Sequence, residues 1–275
     1  MSENNYPVVR FLIIVSFLFL QLSCKKEIVD TQTQSAVDLS YTSQILLDLI
    51  PSVFNYSNSR MELSDYRNDS VYNICVNANI GIDTALFPED TVYLSSLNYG
   101  AFGCFEINKR LKKGIVWILS NGKMYWVGQT IKINFQDYEV DGVTVYGEIN
   151  LRYIGGNNFS IDNFELNGNQ DGLSFSMTGL GNLNVEMNKE TPSIFSDDIF
   201  SLTISGKSVD KFGKSSTFST SNNLIYNSNC KWINEGIMKL KPNDLTERVL
   251  NFGFKTCDDA GIVVINGNDY SFKLF

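Results

Sequence analysis

The residues best suited to chemistry in this sequence are four glutamates in β-rich segments, Glu139, Glu148, Glu165 and Glu186. Two carboxyls about 5–9 Å apart can hydrolyse a glycoside, but the spacing of these four singles out no pair. NGNQDG at 167–172 imitates the opening of a calcium loop through Asn167, Asn169, Asp171 and Gly172. The twelfth position of such a loop is a bidentate Glu; here it is Thr178, so the segment reads as a hairpin turn. The chain contains no histidine. That excludes Ser-His-Asp and Cys-His catalysis and histidine-ligated zinc. Neither a GxxxxGK[ST] phosphate loop nor a GxGxxG fingerprint is present. The expectation is a protein without catalysis, cofactor or metal.

Lipid chemistry is better supported. Arg10 precedes FLIIVSFLFL, an apolar run of signal-peptide length and too short to span a bilayer. QLSC follows, with small Ser23 before Cys24. Residues 1–23 read as a bacterial lipoprotein signal and Cys24 as the lipidated mature N-terminus, although Gln21 stands where such signals usually carry Leu. Residues 24–35 then read as the lipidated cysteine and a polar tether. Each buried acyl CH₂ contributes about 0.8 kcal/mol, so several chains hold a domain at a membrane without a spanning helix.

Export implies an oxidising compartment. Four cysteines remain, and four allow three pairings. LNYGAFGC at 97–104 returns as LNFGFKTC at 250–257, and each phrase ends in a cysteine preceded by another nearly 30 residues upstream. The simplest pairing is Cys75–Cys104 and Cys230–Cys257, one bridge per copy. Each phrase is also followed by a strand beginning Gly-Ile, GIVWI at 114–118 and GIVVI at 261–265. The reading is a duplicated β unit.

The elements that must position these residues are mostly strands. Apolar positions from Val37 to Ile50 fall at helical spacing until Pro51 interrupts, predicting one short helix over about 36–50. Residues 36–70 form this helix and a polar connection. From 71 to 275 the pattern is β. Asn121-Gly122, Asp141-Gly142, Asn167-Gly168 and Asn266-Gly267 each separate two β-rich runs, the strongest short hairpin signal. Ile131, Ile133 and Phe135 alternate with Lys132, Asn134 and Gln136, as in a sheet with one wet face. KRLKK at 109–113 reads as a solvated hairpin tip. The fold expected is all-β with one short N-terminal helix: an antiparallel meander of hairpins forming a curved open sheet, a partial barrel or two packed sheets.

The SCKKE signal, the short helix, the LN[YF]GxxxC…GI block and the NG and DG hairpins together resemble a large group of Bacteroidetes outer-membrane lipoproteins. The resemblance implies lipidation, outer-membrane placement and a β-rich fold, and brings no catalytic residues. Periplasmic and cell-surface placement both stay open, because KKEIVD after Cys24 is only weakly acidic.

The leading expectation is a lipid-anchored envelope protein with a non-catalytic binding or structural role. The alternatives are a carbohydrate-active enzyme using a carboxylate pair and a carrier or chaperone for apolar cargo. The partners expected are the membrane, through the lipid, and a glycan or protein ligand. With 30 Asp plus Glu against 22 Lys plus Arg, nucleic acid is not among them. Trp117, Tyr125, Trp126 and Trp232 are the candidate ligand-contact aromatics, since exposed rings stack on sugars or anchor partners. Tyr125 and Trp126, read as neighbours in one strand, would face opposite sides. Ser70, Thr84 and Thr91 sit in Asp-Ser/Thr-apolar triplets, a pattern that Bacteroidetes O-glycosylate in exported proteins. If they are modified, native protein will be heavier than recombinant protein by whole hexose-type increments on peptides covering 69–92; equal masses would remove this reading.

Overall fold

In the computed structural model the described residues are 30–61, 77–83, 92–106, 108–122, 126–187 and 197–274. Residues 1–29, including Cys24, and Ser70, Cys75, Thr84, Thr91 and Tyr125 lie outside them. Gln32–Phe275 form one compact unit.

Among the described residues, helix α1 (Gln34–Met61) comes first and thirteen strands follow. They are β1 (Asn77–Asp83), β2 (Val92–Phe105), β3 (Leu111–Ser120), β4 (Thr130–Val140), β5 (Val143–Gly155), β6 (Asn158–Gln170) and β7 (Leu173–Glu186). The series continues with β8 (Ile199–Val209), β9 (Ser215–Asn227), β10 (Glu235–Pro242), β11 (Arg248–Phe254), β12 (Ala260–Ile265) and β13 (Asn268–Lys273). All belong to one open sheet in sequence order, each antiparallel to the next, with β1 and β13 at the edges.

The helix is longer than the sequence suggests and is no appendage. It runs through Pro51, although an internal proline removes one backbone hydrogen bond and costs about 3 kcal/mol or more. Burial beyond the proline offsets this: Val53 and Phe54 are fully buried, and the Phe54 ring meets Phe159 at 4.6 Å and Phe200 at 6.2 Å, edge-on. From Ser35 to Phe54 every residue is buried except half-buried Val37. The helix touches strands from β2 to β11, so the sheet curves round it and holds it on the concave side.

Glycines help the sheet to bend. Gly179 on β7 and Gly206 on β8 lie opposite each other. A Cβ would stand 2.2 Å from the Ser205 carbonyl oxygen at the first and 1.9 Å from that of Thr178 at the second, so only glycine permits this approach. Bulges also re-aim strands. Ile131 and Ile133 face the core as the alternation predicts, but Asp137 adopts φ +50° and from there Tyr138 and Val140 are the buried residues.

Two of the four expected hairpin turns are in place. Asp141-Gly142 and Asn266-Gly267 both have φ > 0 at the two central positions, as a tight hairpin requires. Asn167-Gly168 instead lies inside β6, opposite Ser176 and Phe175, and the turn is made four residues later by Asp171-Gly172. Asn121-Gly122 begins a longer connection: β3 ends at Ser120 and β4 starts only at Thr130. Trp126 therefore belongs to that connection and not to a strand.

Cys230 and Cys257 are bonded, tying the β9–β10 connection to the β11–β12 turn. Cys104 is also in a disulfide, and its expected partner Cys75 lies outside the described residues. The repeated phrases adopt one local geometry. The Asn98 side-chain oxygen accepts the Gly100 N–H at 2.9 Å, and Asn251 does the same for Gly253 at 2.9 Å. Leu97 faces Val116 and Leu250 faces Val263, all four in strands β2–β3 and β11–β12. Because consecutive strands alternate in direction, β2 and β11 run in opposite senses along the sheet.

Phe54→Ala removes a fully buried ring from the junction of helix and sheet. It is expected to lower unfolding free energy by about 3–5 kcal/mol in urea denaturation; a loss under about 1 kcal/mol would mean the helix is not packed as described.

Candidate functional site

A dense cluster of charged side chains lies inside the molecule. Gln44, Asp48 and Ser52 stand at four-residue spacing and so form one stripe of α1. Opposite them lie Glu106, Asn108, Arg110 and Lys112, on the β2–β3 connection and the start of β3. Lys112 Nζ lies 2.9 Å from Asp48 Oδ2 and 2.5 Å from Glu106 Oε2. Arg110 Nε lies 3.6 Å from Asp48 Oδ1. The Asn108 amide and, at 3.2 Å, the Tyr226 hydroxyl donate to the same Asp48 oxygen. Glu106 accepts from Tyr99 at 2.9 Å and from Ser52 at 3.1 Å.

The network extends to two further connections. Arg110 pairs with Asp141 of the β4–β5 turn at 2.7 Å and donates to the Lys231 carbonyl at 2.8 Å. Gln44 donates to that same carbonyl at 3.0 Å and accepts the Ile233 N–H at 2.8 Å. KRLKK is thus not a solvated tip. Arg110 and Lys112 are fully buried, because only here do they meet carboxylates that compensate their desolvation.

Burial pushes the Asp48 carboxyl up, but Lys112 and then Arg110 outweigh it and hold it below the ordinary carboxylate value. Burial likewise opposes the Lys112 charge, and Asp48 and Glu106 reverse this, raising its pKa well above normal. Tyr99 is pushed up by burial and by Glu106, so it stays a neutral donor. These groups pair with one another and are closed to solvent, so the arrangement clasps the helix.

The surface-facing chemistry lies on the other side of the sheet. Glu148 and Glu165 are direct partners on β5 and β6, a placement that puts Cβ atoms about 5 Å apart. Lys132 lies 2.7 Å from Glu148 and Asn150 donates to it at 3.0 Å. The hydrogen bonds from Lys132 and Asn150 hold Glu148 below the usual carboxylate range, the opposite of what a general acid needs. Glu139 pairs with Lys113 at 2.7 Å. Glu186 lies in an open groove of about 400 Å³ lined by Ile199, Ile225, Asn227, Asn234, Glu235 and Lys255. The groove crosses the ends of β7 to β10 and has an apolar floor, two carboxylates, two amides and one ammonium.

The three candidate aromatics among the described residues sit on separate elements. Trp117 is half-buried on β3 and donates to Gln136 at 2.9 Å. Trp126 is 58% exposed in the β3–β4 connection. Trp232, in the β9–β10 connection, packs partly against the core, with Lys231 Nζ 5.9 Å from its ring centre. No group of three or more metal-ligating side chains occurs among the described residues, and no described helix is long and apolar enough to cross a membrane. Comparison with protein-family models, with curated proteins and with solved structures returned no match.

Sequence patterns carried a signal for the buried node: Glu106-x-Asn108-x-Arg110-x-Lys112 alternates at period two, and Gln44, Asp48 and Ser52 repeat at helical spacing. Neither pattern shows by itself that its polar face points inward. Lys112→Met leaves Asp48 and Glu106 without their shared cation and is expected to cost about 3–5 kcal/mol of stability. The Asp48 contribution is present above about pH 4 and is lost as pH falls through its depressed folded value. Asp38, raised chiefly by burial, acts with the opposite sign. Asp48→Asn should therefore flatten the acid limb of wild-type stability; an unchanged limb would place the acid sensitivity elsewhere.

Proposed function

We propose that this chain is a lipid-anchored envelope protein whose β domain has a non-catalytic binding role, exercised on the outer face of the sheet. The observation that carries this reading is the helix on the concave side. Leu46, Leu49, Ile50, Val53 and Phe54, all fully buried, occupy the space that an apolar cargo would need. This speaks against the carrier alternative. The outer face is what remains for a partner, and it carries the groove between Glu186 and Glu235. Carboxylates and amides over an apolar floor suit a polyhydroxylated ligand, which offers hydroxyls to the walls and C–H surface to Ile199 and Ile225.

The anchor reading rests on the leader and Cys24, and outer-membrane placement on the family resemblance. The domain would hang from either face of that membrane.

The test is affinity electrophoresis of the protein through gels containing individual bacterial and host polysaccharides, with reducing-sugar assays in parallel. Retardation by one polysaccharide, reduced by Glu235→Gln and by Asn227→Ala without release of reducing ends, is the expected result. Release of reducing sugar that Glu235→Gln abolishes would establish the enzyme alternative instead. Migration unaffected by every polysaccharide would reject the glycan ligand.

A further inference from the structure

The β8–β9 turn joins three features that no part of the groove reading uses. It carries Lys211, Phe212, Gly213 and Lys214, and Phe212 is 71% exposed. It also seats the N-terminus of α1. Ser35 donates to Asp210 at 2.6 Å, and the Lys211 N–H donates to Asp38 at 2.9 Å. Lys214 Nζ lies 2.6 Å from the Gln32 side-chain oxygen. The chain from the leader therefore joins the compact unit at this turn.

Charge adds to the argument. The protein is acidic, with a formal net charge of −8, yet lysines gather at this turn, while exposed Asp171 and Asp244 stand on the neighbouring connections. Exposed Lys207 and Lys241 flank Thr217 in one row across β8, β9 and β10, close to Lys211 and Lys214 in sequence or register. The acids of the turn itself are turned inward: Asp210 accepts the Phe212 and Lys214 N–H groups at 3.0 and 2.9 Å, and Asp38 is buried with Lys211 Nζ 3.9 Å away. On the neighbouring β10–β11 connection, Glu247 lies 3.8 Å from Lys239.

Geometry ties this tip to a membrane. Gln32 is eight residues beyond Cys24, and eight residues reach at most about 29 Å. A lipid on Cys24 would keep Gln32 within that distance of the bilayer surface, and the turn beside it. We propose that the β8–β9 turn is a membrane-contact tip: Phe212 enters the interfacial layer of an anionic phospholipid bilayer while Lys211 and Lys214 meet its phosphates. This rests on the lipid-anchor reading above. An exposed aromatic flanked by lysines is the side-chain set that such an interface favours. The contact orients the domain, with the N-terminal end of α1 toward the membrane.

The test uses the full chain extracted from membranes, with an environment-sensitive fluorophore on Phe212→Cys and, separately, on Tyr146→Cys, which is 47% exposed on β5. The labelled proteins are mixed with vesicles containing phosphatidylglycerol and floated on a density gradient. The expected result is flotation of both, with a blue shift and brightening at 212 alone. That shift should weaken in pure phosphatidylcholine vesicles, and Lys214→Ala should lower the docked-to-undocked ratio roughly fivefold. Flotation with the fluorophore at 212 still in water overturns the tip and leaves the anchor standing. Flotation with equal shifts at both positions also overturns it, since the domain would then have no fixed orientation. Failure to float overturns the anchor and the tip together.

Discussion

A cation pair buried against one helical aspartate is the constraint on which this architecture depends. Taking ions out of water costs several kcal/mol each even after relaxation. Asp48, Lys112, Arg110 and Glu106 recover this only if all are present and correctly spaced. Sliding α1 by a turn or rotating it would part Asp48 from Lys112 and leave uncompensated charge in the core. The node therefore sets the depth and rotation of the helix, which a purely apolar helix in a curved sheet would leave loosely specified. It also gathers three connections far apart in sequence: the β2–β3 connection, the β4–β5 turn and the β9–β10 connection, each bonded to the node or to its neighbours.

The remaining devices hold the same helix. The Cys230–Cys257 bond holds the β9–β10 connection, whose Lys231 carbonyl and Ile233 N–H are met by Arg110 and Gln44. The β8–β9 turn seats the opposite end of the helix through Asp210 and Asp38. A helix fixed at its N-terminus and its middle, and packed by Phe54 beyond the proline, makes the concave side of the sheet a core. The two proposed contact surfaces are accordingly on the outside: the groove over Ile199 and Ile225 and the β8–β9 turn that carries Phe212.

Hairpin chemistry shows how far local sequence reaches. Asp141-Gly142 and Asn266-Gly267 turn where their φ preferences say, but Asn167-Gly168 does not, because Asp171-Gly172 offers the same preference four residues on. The chosen register buries Phe164, Leu166, Phe175 and Met177. Two equivalent turn signals cannot be ranked locally; the apolar face that must point inward ranks them. Trp126 was misplaced for a related reason, since Asn121-Gly122 resembles a two-residue hairpin but opens a longer connection.

What the sequence determined by itself is what depends on period and backbone preference. Alternation and turn dipeptides specify an antiparallel meander, and a short 3.6-period run specifies one helix. The oxidised Cys230–Cys257 pair follows from spacing within a repeated phrase. Tertiary structure alone decided which side of each element is inside. Period tells that Gln44, Asp48 and Ser52 share a face and that Arg110 and Lys112 share another, but polar faces ordinarily meet water. Only when two such faces, more than 50 residues apart, are brought together does burying both become favourable, because each supplies the charges that compensate the other.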